Sequence, residues 1–131
     1  MKAAIGARLH DRIAEAGLGD VYIDRARVSS PAAELSVEPD VVVVLWDTLD
    51  AGRIREISGS KRDPDRLIEL EGAPDLVVEV ISDTSVGKDR SRLPLRYAAA
   101  GVPELWLVDA RRGLRFEIRI LGPDGYQPAV P

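Results

Sequence analysis

Two short segments of this sequence carry apolar residues at consecutive positions, which puts apolar side chains on both faces of a strand. They are "EPDVVVVLW" (residues 38–46) and "APDLVVEVIS" (residues 73–82). Side chains alternate between the two faces of a strand, so such a strand is buried only where its sheet is covered on both sides. The pattern therefore predicts central strands of a layered protein.

The remaining segments before residue 73 predict one helix, one strand and one long loop. Apolar positions at helical spacing predict a first helix that ends at Gly17 or Gly19, namely Ile5, Leu9, Ile13 and Ala16. "VYIDRARVSS" (residues 21–30) alternates like a single half-buried strand. Residues 47–66 are polar and carry no period, which is typical either of a functional flap or of a solvated connector.

The last third of the chain predicts a helix followed by a β-hairpin. "LRYAAAG" reads as a helix that begins close to Pro94 and is closed by Gly101. "ELWLVD" and "LRFEIRIL", joined by the turn "ARRG", form the hairpin, and "GPDG" turns into a short last strand. The predicted fold class is α/β (α+β), with a mixed central β-sheet flanked by helices, and 131 residues suggest a single domain spanning 1–131.

Composition narrows the functional classes. The chain has no cysteine, which excludes disulfides and cysteine-bound zinc and favours a cytoplasmic location. No signal-peptide core and no apolar stretch of membrane-spanning length are present. A net charge of −4 argues against a protein that coats nucleic acid, but a nuclease needs only a local basic surface.

Glu79 interrupts the second apolar strand and raises the question of a partner. Asp75 shares its face but lies four residues away, about 13 Å along a strand, which is too far for one metal ion. Asp40 opens the other doubly apolar strand, and central strands of a sheet are often neighbours. Two carboxylates meeting there would form a hard-oxygen site suited to Mg²⁺ or Mn²⁺.

Structural explanations of the same residues stay open. Glu79 could be a buried carboxylate paired with an arginine, since an unpaired one costs several kcal/mol. Asp40 could cap a turn at the strand entry, and the echo of Pro39-Asp40 in Pro74-Asp75 could reflect how common that dipeptide is there. Tyr97 is expected to serve packing.

Three segments together resemble a known family. "EPDVVVV", "APDLVVEVIS" and "RYAAAGVPELWLVD" are similar to the Uma-type family of restriction endonucleases, within the PD-(D/E)xK nuclease superfamily. The resemblance runs from about residue 20 to residue 127, and the last segment is the most specific. Family members carry a further segment before the first helix, so the resemblance implies a short, N-terminally reduced member.

The resemblance implies a nuclease-like fold with a divalent-metal site. Asp40 and Glu79 would be the acids and Mg²⁺ or Mn²⁺ ligands, the peptide oxygen of Val80 would add a ligand, and a lysine would orient the attacking water. The superfamily places that lysine at the position of Ile81, and the family at the position of Leu93. The third catalytic residue is therefore assigned to Lys88, nine residues after Glu79.

Two functional hypotheses follow. The first is a metal-dependent DNA endonuclease, dimeric if it cuts both strands of a duplex. Its phosphate contacts would come from a basic set, Lys61, Arg62, Lys88, Arg90, Arg92 and Arg96. The second is a catalytically inactive protein of nuclease fold that acts as a dimeric interaction module. The two absent lysines and the acidic composition favour the second.

Overall fold

The computed structural model describes residues 2–58, 67–81, 92–109, 111 and 113–129. The helices are α1 (Lys2–Leu9), α2 (Trp46–Ala51) and α3 (Leu93–Ala100), with a π-helical turn at His10–Ala14 and a 3₁₀ turn at Pro31–Ala33. The strands are β1 (Gly19–Ile23), β2 (Ala26–Ser30), β3 (Leu35–Val37), β4 (Val41–Leu45), β5 (Ile54–Ser58), β6 (Ile68–Gly72), β7 (Leu76–Ile81), β8 (Glu104–Asp109), β9 (Arg115–Gly122) and β10 (Gly125–Pro128).

These strands form two mixed sheets, so the predicted fold class is confirmed. The large sheet has the order β1-β4-β7-β8-β9-β10, in which only β7 and β8 run parallel. The small sheet has the order β3-β2-β6-β5, in which only β2 and β6 run parallel. The doubly apolar strands β4 and β7 are neighbours inside the large sheet, as their composition requires.

The large sheet is covered on both faces where β4 and β7 lie. Its inner face packs against the small sheet and α3, through side chains that include Val42, Val77 and Leu105. Its outer face packs against α1 through Ile5, which belongs to one cluster with Val41 and Val78. Each fully buried side chain of this size stabilises the fold by about 1.5–3 kcal/mol relative to exposure.

The first predicted strand is wrong, because residues 21–30 form parts of two strands in different sheets. β1 joins the large sheet and β2 joins the small sheet, and the chain reverses at Asp24, whose φ is 57°. Aspartate tolerates this left-handed conformation better than most residues with a side chain. An uninterrupted alternation without glycine or proline conceals such a turn.

The predicted loop at residues 47–66 is wrong in its first half. Helix α2 and strand β5 occupy most of residues 46–58, and residues 59–66 lie outside the described residues. Ala16 lies beyond the first helix and is exposed, so the predicted apolar stripe ends at Ile13. The hairpin of β8 and β9 and the short strand β10 are confirmed.

Helix α3 is confirmed at both ends. Pro94 lies in its first turn, where the missing N–H costs no hydrogen bond. Gly101 ends it in the left-handed conformation, with φ of 85°. The helix crosses from β7 to the parallel strand β8, and this connection places its buried side chains over the inner face of the large sheet.

No helix within the described residues is long and apolar enough to cross a membrane.

Candidate active site

Asp40 and Glu79 lie opposite each other at one end of the β4–β7 pair. The last paired residues are Val41 and Val78, and continuing that register by one residue brings Asp40 to Glu79. Glu79 lies two positions after the inward-facing Val77 and so points to the inner face, whereas the Asp40 carboxylate lies at the strand end, 3.5 Å from Lys2 Nζ of α1.

The two carboxylates differ in exposure. The whole Glu79 residue is 7% exposed, and the side chain of Asp40 is 24% exposed. Glu79 is therefore closed in by protein, whereas Asp40 opens towards solvent. An ion bound by both residues would have one buried ligand and one ligand reachable from solvent.

Asp40 also holds the backbone of the opposite strand. Its Oδ2 accepts a hydrogen bond of 2.7 Å from the Val80 N–H. In an extended strand the N–H and C=O of one residue point towards the same neighbour. The Val80 carbonyl therefore faces the side on which Asp40 lies, which is the direction that a metal ligand at Val80 requires.

Tyr97 on α3 forms a hydrogen bond with Glu79. The hydroxyl donates a 2.6 Å hydrogen bond to Glu79 Oε1, and the tyrosine is 0% exposed. Helix α3 faces the sheet with this side chain, so the ring packs in the core while the hydroxyl reaches the carboxylate. A hydrogen bond to an ionised carboxylate orients its acceptor more strongly than a bond to a neutral group.

A lysine on α1 reaches the same end of the sheet. Lys2 Nζ lies 2.9 Å from Asp24 Oδ1 and 3.5 Å from Asp40 Oδ1. The backbone of Asp24 is fixed next to Asp40, because the Asp24 N–H donates a 3.0 Å hydrogen bond to the Asp40 carbonyl. The hydrogen bond to Asp24 raises the pKa of Lys2, so the ammonium stays protonated at neutral pH.

The second Pro-Asp dipeptide has a purely structural arrangement. Asp75 Oδ2 accepts from the Leu45 N–H at 2.7 Å, which mirrors the bond from Val80 to Asp40 at the opposite end of the same strand pair. Its Oδ1 accepts from the Thr48 hydroxyl at 2.7 Å and pairs with the Arg53 guanidinium at 2.6 Å. Asp75 thus joins the end of β4 to the start of α2.

Similarity to known proteins identifies the family of this chain. A family described as "Putative restriction endonuclease", Uma2, matches residues 1–130. The chain belongs to the Uma2 family. A solved structure described as a "putative nuclease belonging to DUF820" from Anabaena variabilis matches with a TM-score of 0.54 and 19% identity, over 98% of this chain and 69% of that one. At this identity the match shows a shared fold. No curated protein matches the chain.

The two positions at which the Uma2 resemblance implies a lysine are both in the core. Ile81 is 3% exposed and Leu93 is 7% exposed, and both belong to the cluster between the sheets. An ammonium at either position would be buried among apolar side chains, which is costly without a partner. Any lysine of the site must therefore come from another element.

The proposed basic surface is described only in part. Lys61, Arg62, Lys88 and Arg90 lie outside the described residues. Arg92 is exposed just before α3, and Arg96 is exposed and donates to the Glu34 carbonyl at 2.9 Å. Arg92 thus directly precedes the helix that carries Tyr97, and Arg96 lies on it.

Sequence reasoning missed several residues of this region. It treated Tyr97 as packing alone and passed over Lys2, Asp24 and Asp109. Asp109 is 8% exposed, pairs in register with Ile81 on the neighbouring strand, and binds the Arg111 guanidinium at 2.9 and 3.0 Å. The only signal for it was its position at the end of a buried strand. The others carried no spacing signal, because they come from distant parts of the chain.

Proposed function

We propose that the protein is a divalent-metal-dependent endonuclease that hydrolyses phosphodiester bonds of DNA. Family membership supports a nuclease-like function, and the finer assignment rests on one observation. Asp40 and Glu79 lie opposite each other in the register of neighbouring strands, with Glu79 buried and Asp40 partly open to solvent. A divalent cation bound by both carboxylates would relieve the repulsion between them.

The donor set fits Mg²⁺ or Mn²⁺. Both ions prefer oxygen ligands, and the carboxylates of Asp40 and Glu79 together with the Val80 carbonyl are hard oxygens. The bonds from the Val80 N–H and the Tyr97 hydroxyl each use one lone pair of a carboxylate oxygen, which leaves acceptor capacity for an ion. When bound, the ion would supply Lewis-acid stabilisation of the phosphate.

The protein's own residues would position the reactants. The attacking water would release a proton to the solvent as its oxygen bonds to phosphorus, the ester P–O bond would break, and the leaving oxygen would take up a proton from the solvent. Lys88, outside the described residues, stays the proposed residue for orienting that water. Arg92 just before α3 and Arg96 on α3 would hold neighbouring phosphates, together with Lys61, Arg62 and Arg90.

The proposed domain organisation, cellular location and oligomeric state follow from the same function. Residues 1–131 would act as one nuclease-like domain, located in the cytoplasm. One such site cuts one strand, so cleavage of a duplex on both strands would require a homodimer.

Two isosteric variants test the metal site. Asp40→Asn and Asp75→Asn each keep an oxygen that can accept the backbone N–H, but each removes a carboxylate charge. With Mn²⁺ at 100 times its dissociation constant, the native state gains about 2.7 kcal/mol. The parent and Asp75→Asn should therefore show a melting-temperature rise of roughly 10 °C, and Asp40→Asn should show none.

Cleavage of supercoiled plasmid with Mn²⁺ is the second measurement. The parent should nick it, and Asp40→Asn and Glu79→Gln should not. A parent without any Mn²⁺-dependent melting shift would refute the metal site and favour the inactive interaction module. That alternative draws on two observations, the apolar core residues at positions 81 and 93 and the equivalent structural bonds made by Asp40 and Asp75.

A further inference from the structure

Three separate elements bring one ammonium group to the carboxylate end of the sheet. Lys2 on α1 contacts Asp24, in the turn between β1 and β2, and Asp40, before β4. Among the described residues Lys2 is the only lysine. Its side chain is 44% exposed, so part of the ammonium faces the solvent beside Asp40. The group is thus next to the proposed site and accessible from outside.

The fold fixes where this ammonium lies. Ile5 anchors α1 on the outer face of the large sheet in one cluster with Val41, the residue after Asp40. Lys2 lies about one turn before Ile5, at the start of α1, and its ammonium reaches Asp24 and Asp40 near the ends of β1 and β4. Asp24 pairs with the ammonium at 2.9 Å from the turn between β1 and β2, and its own N–H is held by the Asp40 carbonyl.

We propose that Lys2 contacts the phosphate undergoing hydrolysis and stabilises the negative charge that develops on it, with Asp24 as the residue that positions it. This inference rests on the proposed function of the Asp40–Glu79 pair. The role needs a fixed positive charge and no proton transfer. A preplaced cation near the reacting phosphate stabilises the transition state more than the ground state, because the charge grows there during the reaction.

The geometry makes a second consequence testable without activity. The same ammonium lies 3.5 Å from an oxygen of Asp40, so it repels any cation that binds that carboxylate. Removing Lys2 should therefore tighten metal binding while weakening cleavage. A residue that only holds the fold together would move both quantities down.

The experiment compares Lys2→Met with Arg8→Met and Lys2→Arg in the full chain. Arg8 is exposed on the same helix and forms no ion pair with any described residue, so its variant removes an equal charge away from the carboxylates. Lys2→Met should cut the plasmid on the order of 10²–10³-fold more slowly. Arg8→Met should cut at nearly the parent rate, and Lys2→Arg should recover part of the loss.

Two binding measurements complete the test. Mn²⁺ titration should show about twofold to fivefold tighter binding to Lys2→Met, as expected for a partly exposed charge. DNA binding, measured with Ca²⁺ in place of the reactive ion, should lose about one unit of salt slope in Lys2→Met, as for one phosphate contact, and none in Arg8→Met.

The outcomes separate the two proposals. A parent that neither binds Mn²⁺ nor cleaves DNA removes the proposed function and this inference with it. A parent that cleaves, with Lys2→Met equally fast, overturns only the role of Lys2. The same holds if Lys2→Met loses Mn²⁺ binding and stability together with cleavage, because Lys2 would then be a structural clamp. If Lys88→Met alone abolishes cleavage while Lys2→Met retains it, the ammonium belongs to Lys88.

Discussion

The contact between Tyr97 and Glu79 makes a quantitative prediction about stability. The 2.6 Å bond joins a fully buried hydroxyl to a carboxylate in a residue that is 7% exposed. A hydrogen bond to a charged group contributes about 1.5–3 kcal/mol, and leaving the buried acceptor without it costs a similar amount. Tyr97→Phe keeps the ring, so it adds almost no cavity, and it should lower the free energy of unfolding by about 1.5–3 kcal/mol.

Urea denaturation without metal measures this loss. With a slope of about 1.5–2 kcal/mol per molar urea for a chain of this size, the midpoint should fall by about 1–2 M. Tyr126→Phe is the matched control, because its hydroxyl donates at 2.7 Å to a neutral acceptor, the Val102 carbonyl. A neutral bond contributes only about 0.5–1.5 kcal/mol, so this variant should lose less.

A double-mutant cycle isolates the charge. In a Glu79→Gln background the acceptor is neutral, and Tyr97→Phe should there cost about 1 kcal/mol less than in the parent. If Tyr97→Phe costs no more than Tyr126→Phe, or if its cost is unchanged by Glu79→Gln, then the hydroxyl does not hold an ionised carboxylate. The account of how Glu79 is oriented would then be wrong.

Two further predictions concern the fold. Burial raises the pKa of Tyr22 and Tyr126 above the ordinary phenol value of about 10. Folding therefore favours the protonated forms of both tyrosines, so the urea midpoint should be constant up to about pH 9 and should fall above about pH 10. The fall should be less steep in Tyr126→Phe. A parent whose midpoint stays constant up to about pH 11 would contradict this prediction. Gly72→Ala should lose more than about 1 kcal/mol, because φ is 122° and a Cβ would collide with the Arg53 carbonyl. Gly113→Ala, with φ of 99° and open space, should lose less by urea denaturation, and equal losses would exclude the collision as the cause.

The sequence predicts best where one physical requirement dominates. Strands β4 and β7 are apolar on both faces, so they could only be central strands, and they lie side by side. Helix α3 has a proline that fits only its first turn and a glycine that ends it. These signals are local and do not depend on which part of the chain packs against them.

The small sheet was not predictable in the same way. Strand β6 alternates Glu69 and Glu71 with apolar residues, whereas strand β5 carries the charges of Arg55 and Glu56 at adjacent positions. Arg55 pairs with Glu71 across the two strands at 3.0 Å. Taken alone, the adjacent charges of β5 do not indicate a strand, because the Glu71 that offsets the charge of Arg55 lies elsewhere in the chain. Lys2 is hidden for the same reason, since 38 positions separate it from Asp40.

The two Pro-Asp dipeptides show why only one of them should carry chemistry. Asp40 and Asp75 each bind a backbone N–H of the other strand at 2.7 Å, so this bond alone justifies either aspartate. The opposite residues differ: Asp75 faces the apolar end of β4, whereas Asp40 faces Glu79. A glutamine at position 79 could accept the Tyr97 hydrogen bond, but it would not supply the negative charge that a divalent cation prefers in its ligands. Glu79 therefore supports a metal site more directly than the dipeptide does, and a Glu79→Gln protein that stays folded but no longer binds Mn²⁺ would be the strongest support for that site.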